Sequence, residues 1–236
     1  MTMPPTDRSI NSKDPKAIIA ELDRWVACHE NGQYLPIDTL PLGPLNIEPD
    51  YGIQQVRDEL YEFILKVISQ NLSGTVLEIG IGHYGSNHFL WRLLFDRVIT
   101  IEKSPERCRA FAQSYSQFYT GVWPGRDGRS GFIFGLSSDP GSVRKTYEAT
   151  ARKVDLLFID GDHSYAAVLC DWLLYHHLVR DGGLIAFHDS LTDNAAMSEV
   201  PKFLAELERG EIDGRPHKIH QIVHTRHAGI AFYESR

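Results

Sequence analysis

Apolar residues recur at helical spacing twice near the start of the chain. Ile18, Ile19, Leu22, Trp25 and Val26 fall on one face of a helix. Asp14-Pro15 just before them has the form of an N-cap with proline at the first helical position. Ile53, Val56, Leu60, Phe63, Ile64, Val67 and Ile68 predict a second amphipathic helix over about 53–70. Between the two, from Gly32 to Gly52, Pro36, Pro41, Pro44 and Pro49 break up scattered apolar residues. A long helix or central strand is excluded there, and an ordered loop packing across the body is expected. Residues 1–13 are polar and contain prolines, the pattern of a mobile tail.

From there the pattern changes to short apolar runs alternating with helical segments, the mark of an α/β chain with a mostly parallel sheet. The runs are Val76–Ile79, Val98–Glu102, Phe132–Phe134, Val154–Ile159 and Gly182–Phe187. Ser104-Pro105 and Asp139-Pro140 start the helices after the second and third runs. Ser164 or Asp162 caps a long helix through Trp172, Leu173 and Leu178, which Gly182-Gly183 is expected to end. A short helix near 198–209 follows. The last two runs, Ile219–Val223 and Gly229–Tyr233, are too close together for a crossover, so they form an antiparallel hairpin.

Composition narrows the function classes. The 236 residues suffice for one catalytic α/β domain with a full core, taken here as residues 72–236. Residues 1–71, the tail, helices and proline-rich loop, are an extension suited to a lid or an oligomer contact. A net charge of −7 argues against a nucleic-acid partner, which calls for a basic face. Cys28, Cys108 and Cys170 are odd in number and widely spaced, so no disulfide framework or structural zinc site is indicated, and a cytoplasmic setting fits. No segment approaches the length of a membrane span, and the start has no signal-peptide pattern.

The candidate chemistry lies where apolar runs end. Val76-Leu77-Glu78-Ile79 leads into Gly80-Ile81-Gly82-His83-Tyr84-Gly85, and glycines at a strand end let the backbone lie against a nucleoside-sized ligand. Glu102 ends the next run at about the distance of a ribose-binding acid. By itself this pattern would also suit a dinucleotide. Two further runs end in Asp160-Gly161-Asp162-His163 and His188-Asp189-Ser190, both rich in potential metal ligands.

In that order, these motifs resemble the class I S-adenosylmethionine-dependent methyltransferases. The likeness is to the metal-dependent small-molecule O-methyltransferases related to macrocin enzymes and to proteins labelled cephalosporin hydroxylase. It covers residues 72–190 well and the rest loosely. It implies a Rossmann-like, seven-stranded, mostly parallel sheet with an antiparallel last strand. A small hydroxylated acceptor, such as a sugar, polyketide or phenol, and a homo-oligomer are implied as well. So are S-adenosyl-L-methionine as cofactor and a divalent cation, Mg²⁺ or Mn²⁺. By resemblance, Gly80 and Gly82 pass under the methionine and ribose, and Glu78 orients the loop or the amino-acid end. Glu102 takes the ribose hydroxyls, Ser138 and Asp139 face the adenine, and Asp160 serves cofactor and metal together.

Asp160, His188 and Asp189 are the metal candidates. The relatives carry a third acid where this chain has His188, and an imidazole favours Mn²⁺, Fe²⁺ or Zn²⁺ over Mg²⁺. The resemblance makes Asp162 the general base if a metal is held, with His163 or His188 taking that role if not. His217, His220, His224 and His227 invite a metal reading, but His220 and His224 would lie about 13 Å apart along a strand. Tyr51, Gln54 and Gln55 are placed to close over the cofactor. The rival readings are an Fe²⁺-dependent oxygenase built on His163, His188 and a carboxylate, and a silent S-adenosylmethionine-binding protein. An NAD enzyme fits least, because Glu78 and the hairpin have no role in it.

Overall fold

A computed structural model describes residues 13–29, 32, 34, 55–82, 84–119, 123–150, 153–191, 198–224 and 228–236. Apart from Gly32 and Tyr34, the expected proline-rich loop lies outside the described residues, as do the tail up to residue 12, Tyr51, Gln54 and His227. Helix α1 spans Pro15–Ala27, and Asp14 caps it, accepting from the Lys16 N–H at 3.0 Å. Helix α2 spans Arg57–Ser69 and starts later than the apolar spacing suggested, with no side-chain cap at Val56.

Five strand–helix steps follow. They run β1 (Thr75–Ile79), α3 (Ser86–Leu94), β2 (Arg97–Glu102), α4 (Pro105–Phe118), β3 (Ser130–Phe134), α5 (Pro140–Ala149), β4 (Val154–Ile159) and α6 (Tyr165–Tyr175). Then come β5 (Val179–Phe187), α7 (Val200–Arg209), β6 (His220–Ile222) and β7 (Ile230–Glu234). The seven strands form one sheet in the order β3-β2-β1-β4-β5-β7-β6. β1 to β5 are parallel, and β7 is inserted antiparallel to both β5 and β6. The expected α/β fold with its terminal hairpin is therefore what the chain adopts.

Alternation along the strands feeds two cores. On β4, Leu156 and Phe158 face one layer with α1, α2, α3 and α4, while Leu157 and Ile159 face the other with α6 and α7. Trp25 of α1 is fully buried and stacks on Phe89 of α3 at 4.5 Å. The N-terminal helices thus share the core of the sheet.

One boundary differs from the expectation. Helix α6 ends at Tyr175, a single 3₁₀ turn covers His176–Leu178, and β5 begins at Val179, before the paired glycines. Gly182 and Gly183 serve the strand instead, at a register shift against β4. Gly182 has φ +72°, and a Cβ on Gly183 would lie 2.7 Å from the Asp155 carbonyl oxygen.

Candidate active site

The order of the parallel strands reverses between β1 and β4, where a crevice opens at their carboxyl ends. A cavity of about 330 Å³ occupies it, lined among others by Gly80, Gly82, Glu102, Asp160, Asp162 and His163. The residues just past the strands are still held in the ladder. Gly80 N–H donates to Ile101 O at 3.0 Å, Asp160 N–H to Ile79 O at 2.9 Å, and His188 N–H to Ile159 O at 3.1 Å. The sheet itself therefore fixes the chemical groups in space.

The glycine loop has a steric reason. Gly80 has φ +89°, and a Cβ there would sit 2.1 Å from the Asp160 carbonyl oxygen, so β1 and β4 could not approach. Gly82, at φ +69°, has nothing within 4 Å of a Cβ and borders open space. Glu102 braces the loop from β2, accepting from Ile81 N–H at 3.0 Å and Ser104 N–H at 2.8 Å while lining the cavity.

Glu78 lies underneath, fully buried, and does not line the cavity. It accepts from Trp91 Nε1 at 3.1 Å and Thr100 Oγ1 at 2.5 Å. Burial lifts its pKa to about 8, despite those two donors. Thr100 in turn meets His88 Nδ1 at 2.7 Å, and His88 Nε2 meets Ser130 at 2.8 Å. The chain of contacts runs on to Arg92, which binds Ser130 and Asp127 at 2.7 Å each. This polar network under the loop ties β1, β2, β3 and α3 together; sequence reasoning did not find His88 or Arg92, whose helix it never delimited.

On the β3 side, Gly135, Leu136 and Ser137 line the cavity. Ser138 and Asp139, the expected adenine-facing pair, are exposed and are not among the lining residues. The Asp139 carboxylate folds back to accept from Leu136 N–H at 3.2 Å. Asp171 of α6 lies behind this wall, and burial raises its pKa to about 6 against a hydrogen bond from Ser137.

The other end of the cavity carries a cluster of ionisable groups. Asp160 Oδ1 is 3.2 Å from His188 Nδ1 and 3.7 Å from His163 Nε2. Asp189 Oδ2 is 3.0 Å from His163 Nδ1 and 3.4 Å from His188 Nδ1. Asp189 takes φ 52°, a left-handed conformation that turns its carboxylate toward the cluster. Burial opposes charge on all four groups, and their opposite neighbours overcome it. Asp160 and Asp189 are held down, His163 is carried up to about 10, and His188 is raised well above its ordinary value.

Donor atoms of Asp160, His163 and Asp189 lie within 4.8 Å of one another, as a metal ion requires. His188, the third metal candidate from the sequence, is buried and presents Nδ1 to both carboxylates, while its Nε2 has no partner. Asp162 lines the cavity outside this cluster, accepting from Ser164 N–H at 2.9 Å, and that bond lowers its pKa. Ser164, not Asp162, caps α6, its Oγ accepting from Ala167 N–H at 3.4 Å. His217 and His224 pair with Asp213 at 3.0 Å and Glu62 at 2.8 Å, and neither belongs to a metal-type group among the described residues.

An open parallel sheet with an inserted antiparallel strand, and a glycine loop and acid at its switch point, define the class I methyltransferase fold. A family model described as a methyltransferase domain matches residues 77–190. Similar solved structures extend the likeness to the whole chain. An O-methyltransferase from Bacillus cereus in complex with SAH is 17% identical, with a TM-score of 0.56 over 97% of this chain and 94% of that one. A putative caffeoyl-CoA O-methyltransferase from Staphylococcus aureus gives 14%, 0.59 and 92% of each chain. The O-methyltransferase TomG from Streptomyces achromogenes, in complex with SAM, gives 15%, 0.54, and 91% and 89%. Among curated proteins, uncharacterized protein R132 of Acanthamoeba polyphaga mimivirus is 39% identical over 61 residues. That match spans 25% of this chain and 28% of the viral protein.

Proposed function

We propose that this protein is an S-adenosylmethionine-dependent O-methyltransferase acting on a small hydroxylated molecule with the help of a divalent cation. The observation that carries the reading is the single cavity in which the glycine loop and Glu102 meet Asp160, Asp162 and His163. The nucleoside end and the reacting end of one ligand are thereby provided for together.

S-adenosylmethionine, when bound, supplies an electrophilic methyl group on a sulfonium sulfur. Glu102, with each oxygen holding one backbone N–H, retains lone pairs for the ribose hydroxyls. The donor set at the other end fits a cation: two carboxylates and an imidazole converge, a combination better suited to Mn²⁺ than Mg²⁺. Asp160, Asp189 and His163 would hold it, and its chemistry there is to make an acceptor hydroxyl more acidic. His188 backs the two carboxylates and keeps them aimed. Asp162, beside the cluster, takes the acceptor's proton on its carboxylate. A depressed pKa suits a base whose partner is already acidified. Where no cation is held, Asp160 and Asp189 keep His163 as an imidazolium, so Asp162 remains the base.

One observation favours a second reading. Two imidazoles and two carboxylates meet in one place, a set that also suits Fe²⁺ in an oxygenase. We further read the protein as a cytosolic homo-oligomer without a nucleic-acid partner. Its three cysteines are unpaired, its net charge is −7, and no helix among the described residues could cross a membrane.

The test is to supply S-adenosylmethionine, Mn²⁺ and a panel of hydroxylated acceptors to the full chain. Acceptor-dependent release of S-adenosylhomocysteine, lost on chelation, is the expected result. Oxygen consumption with Fe²⁺ and no turnover of the sulfonium donor would replace this reading with the second.

A further inference from the structure

Two buried amides meet at Asp160 on the side away from the histidines. Gln55, in the segment leading into α2, donates from Nε2 to Asp160 Oδ2 at 2.8 Å. Asn87, in the first turn of α3, donates from Nδ2 to the same oxygen at 3.3 Å. Gln55 is 3% exposed and Asn87 6%, and both line the cavity. Spending one N–H each on a carboxylate fixes which way the amides point. Their oxygens, Gln55 Oε1 and Asn87 Oδ1, are left buried with no hydrogen-bond partner. A buried acceptor without a donor is costly, and two side by side at the wall of a cavity point to a ligand that brings N–H groups.

Each amide keeps a second N–H, but the atoms left without any partner are the two amide oxygens, and they stand beside a carboxylate oxygen that already takes two bonds. A carboxylate or phosphate would be repelled, a neutral hydroxyl would satisfy one acceptor, and a primary ammonium has three donors and a positive charge. We infer that Gln55, Asn87 and Asp160 form a subsite for an α-ammonium group, which makes Gln55 and Asn87 selectivity residues for the amino-acid end of the cofactor. This rests on the proposed cofactor and says which of its groups this end of the cavity reads.

Asp160 then faces two ways. Oδ2 serves the ammonium subsite, and Oδ1 belongs to the histidine cluster. A nucleoside without the amino acid leaves the amide oxygens unsatisfied, so the site discriminates against adenosine-type thioethers.

The experiment is calorimetric titration of the full-length protein with three ligands. They are S-adenosylhomocysteine, its desamino analogue, which lacks only the ammonium, and 5′-methylthioadenosine, which lacks the whole amino acid. Wild type should bind S-adenosylhomocysteine about 10- to 100-fold more tightly than the desamino analogue, the range for a hydrogen bond to a charged group. Gln55→Met and Asn87→Ala should each shrink that ratio while leaving 5′-methylthioadenosine affinity within about 2-fold, which also shows that the variants are folded. Equal affinity of wild type for S-adenosylhomocysteine and its desamino analogue would overturn the subsite. So would variants that weaken all three ligands alike. Failure of all three to bind wild type would instead remove the cofactor reading, and the subsite with it.

Discussion

Glu102 and Glu78 are both acids near the end of a strand, yet they do different work because of what surrounds them. Glu102 borders the cavity and carries two backbone N–H bonds, so it braces the loop and faces the space of the proposed cofactor at once. Glu102→Ala should weaken S-adenosylhomocysteine binding about 10- to 100-fold, the equivalent of roughly 1.5 to 3 kcal/mol; calorimetry reads this directly. Glu102→Gln, which keeps one acceptor oxygen, should lose less. Glu78 is sealed under the loop with its pKa raised to about 8. A carboxyl whose folded pKa exceeds its unfolded one favours folding most at low pH, and that contribution fades as pH rises through the folded value. The buried neutral His88 has the opposite sense: its contribution is gained as pH rises toward its unfolded value and is fully present above that value. Comparing wild type with Glu78→Gln isolates the first effect. Between about pH 5 and 8.5 the variant should lose less urea stability than wild type, and parallel curves would show that Glu78 does not titrate in this window.

At the scale of elements, the glycine loop holds two glycines that answer different questions. Gly80→Ala forces a Cβ onto the Asp160 carbonyl and should cost about 2 kcal/mol or more in urea unfolding. Gly82→Ala meets no protein atom, so it should fold with a cost of about 1 kcal/mol and lose affinity for the cofactor instead. This loop was legible because an apolar run must stop where the backbone turns, and glycine makes such a turn at the least steric cost. Asp160, His188 and Asp189 were legible for the same reason, as polar residues following buried strands. Their side-chain directions were not. Which ring nitrogen of His188 faces which carboxylate depends on tertiary packing, and Asp139 turns back onto Leu136 N–H through local geometry that its helix-capping pattern does not reveal. Asn87 stayed hidden because α3 follows the glycine loop without a polar cap, Gly85 standing at the cap position. Gln55 was singled out only as a closing residue; its bond to Asp160 spans 105 positions of sequence.

At the scale of the molecule, the N-terminal helices are part of the body that carries the site. Trp25 packs between Phe89 of α3 and Phe111 of α4, at 4.5 and 5.7 Å. Trp25→Ala should therefore destabilise the whole domain by roughly 3 to 5 kcal/mol in a single unfolding transition. Separate melting of a small N-terminal unit would contradict this shared core. The placement of α2 also carries Gln55 to Asp160, so the extension and the strand-end acids meet in one cavity. The central claim is that this cavity holds an adenosyl amino acid along the carboxyl ends of the strands. Titration of the purified full chain with S-adenosylhomocysteine tests it most directly. The account predicts saturable binding at one site per chain, diminished in Glu102→Ala. Wild-type protein that shows no heat of binding at millimolar ligand, while folded and cooperative in its melting, would contradict it.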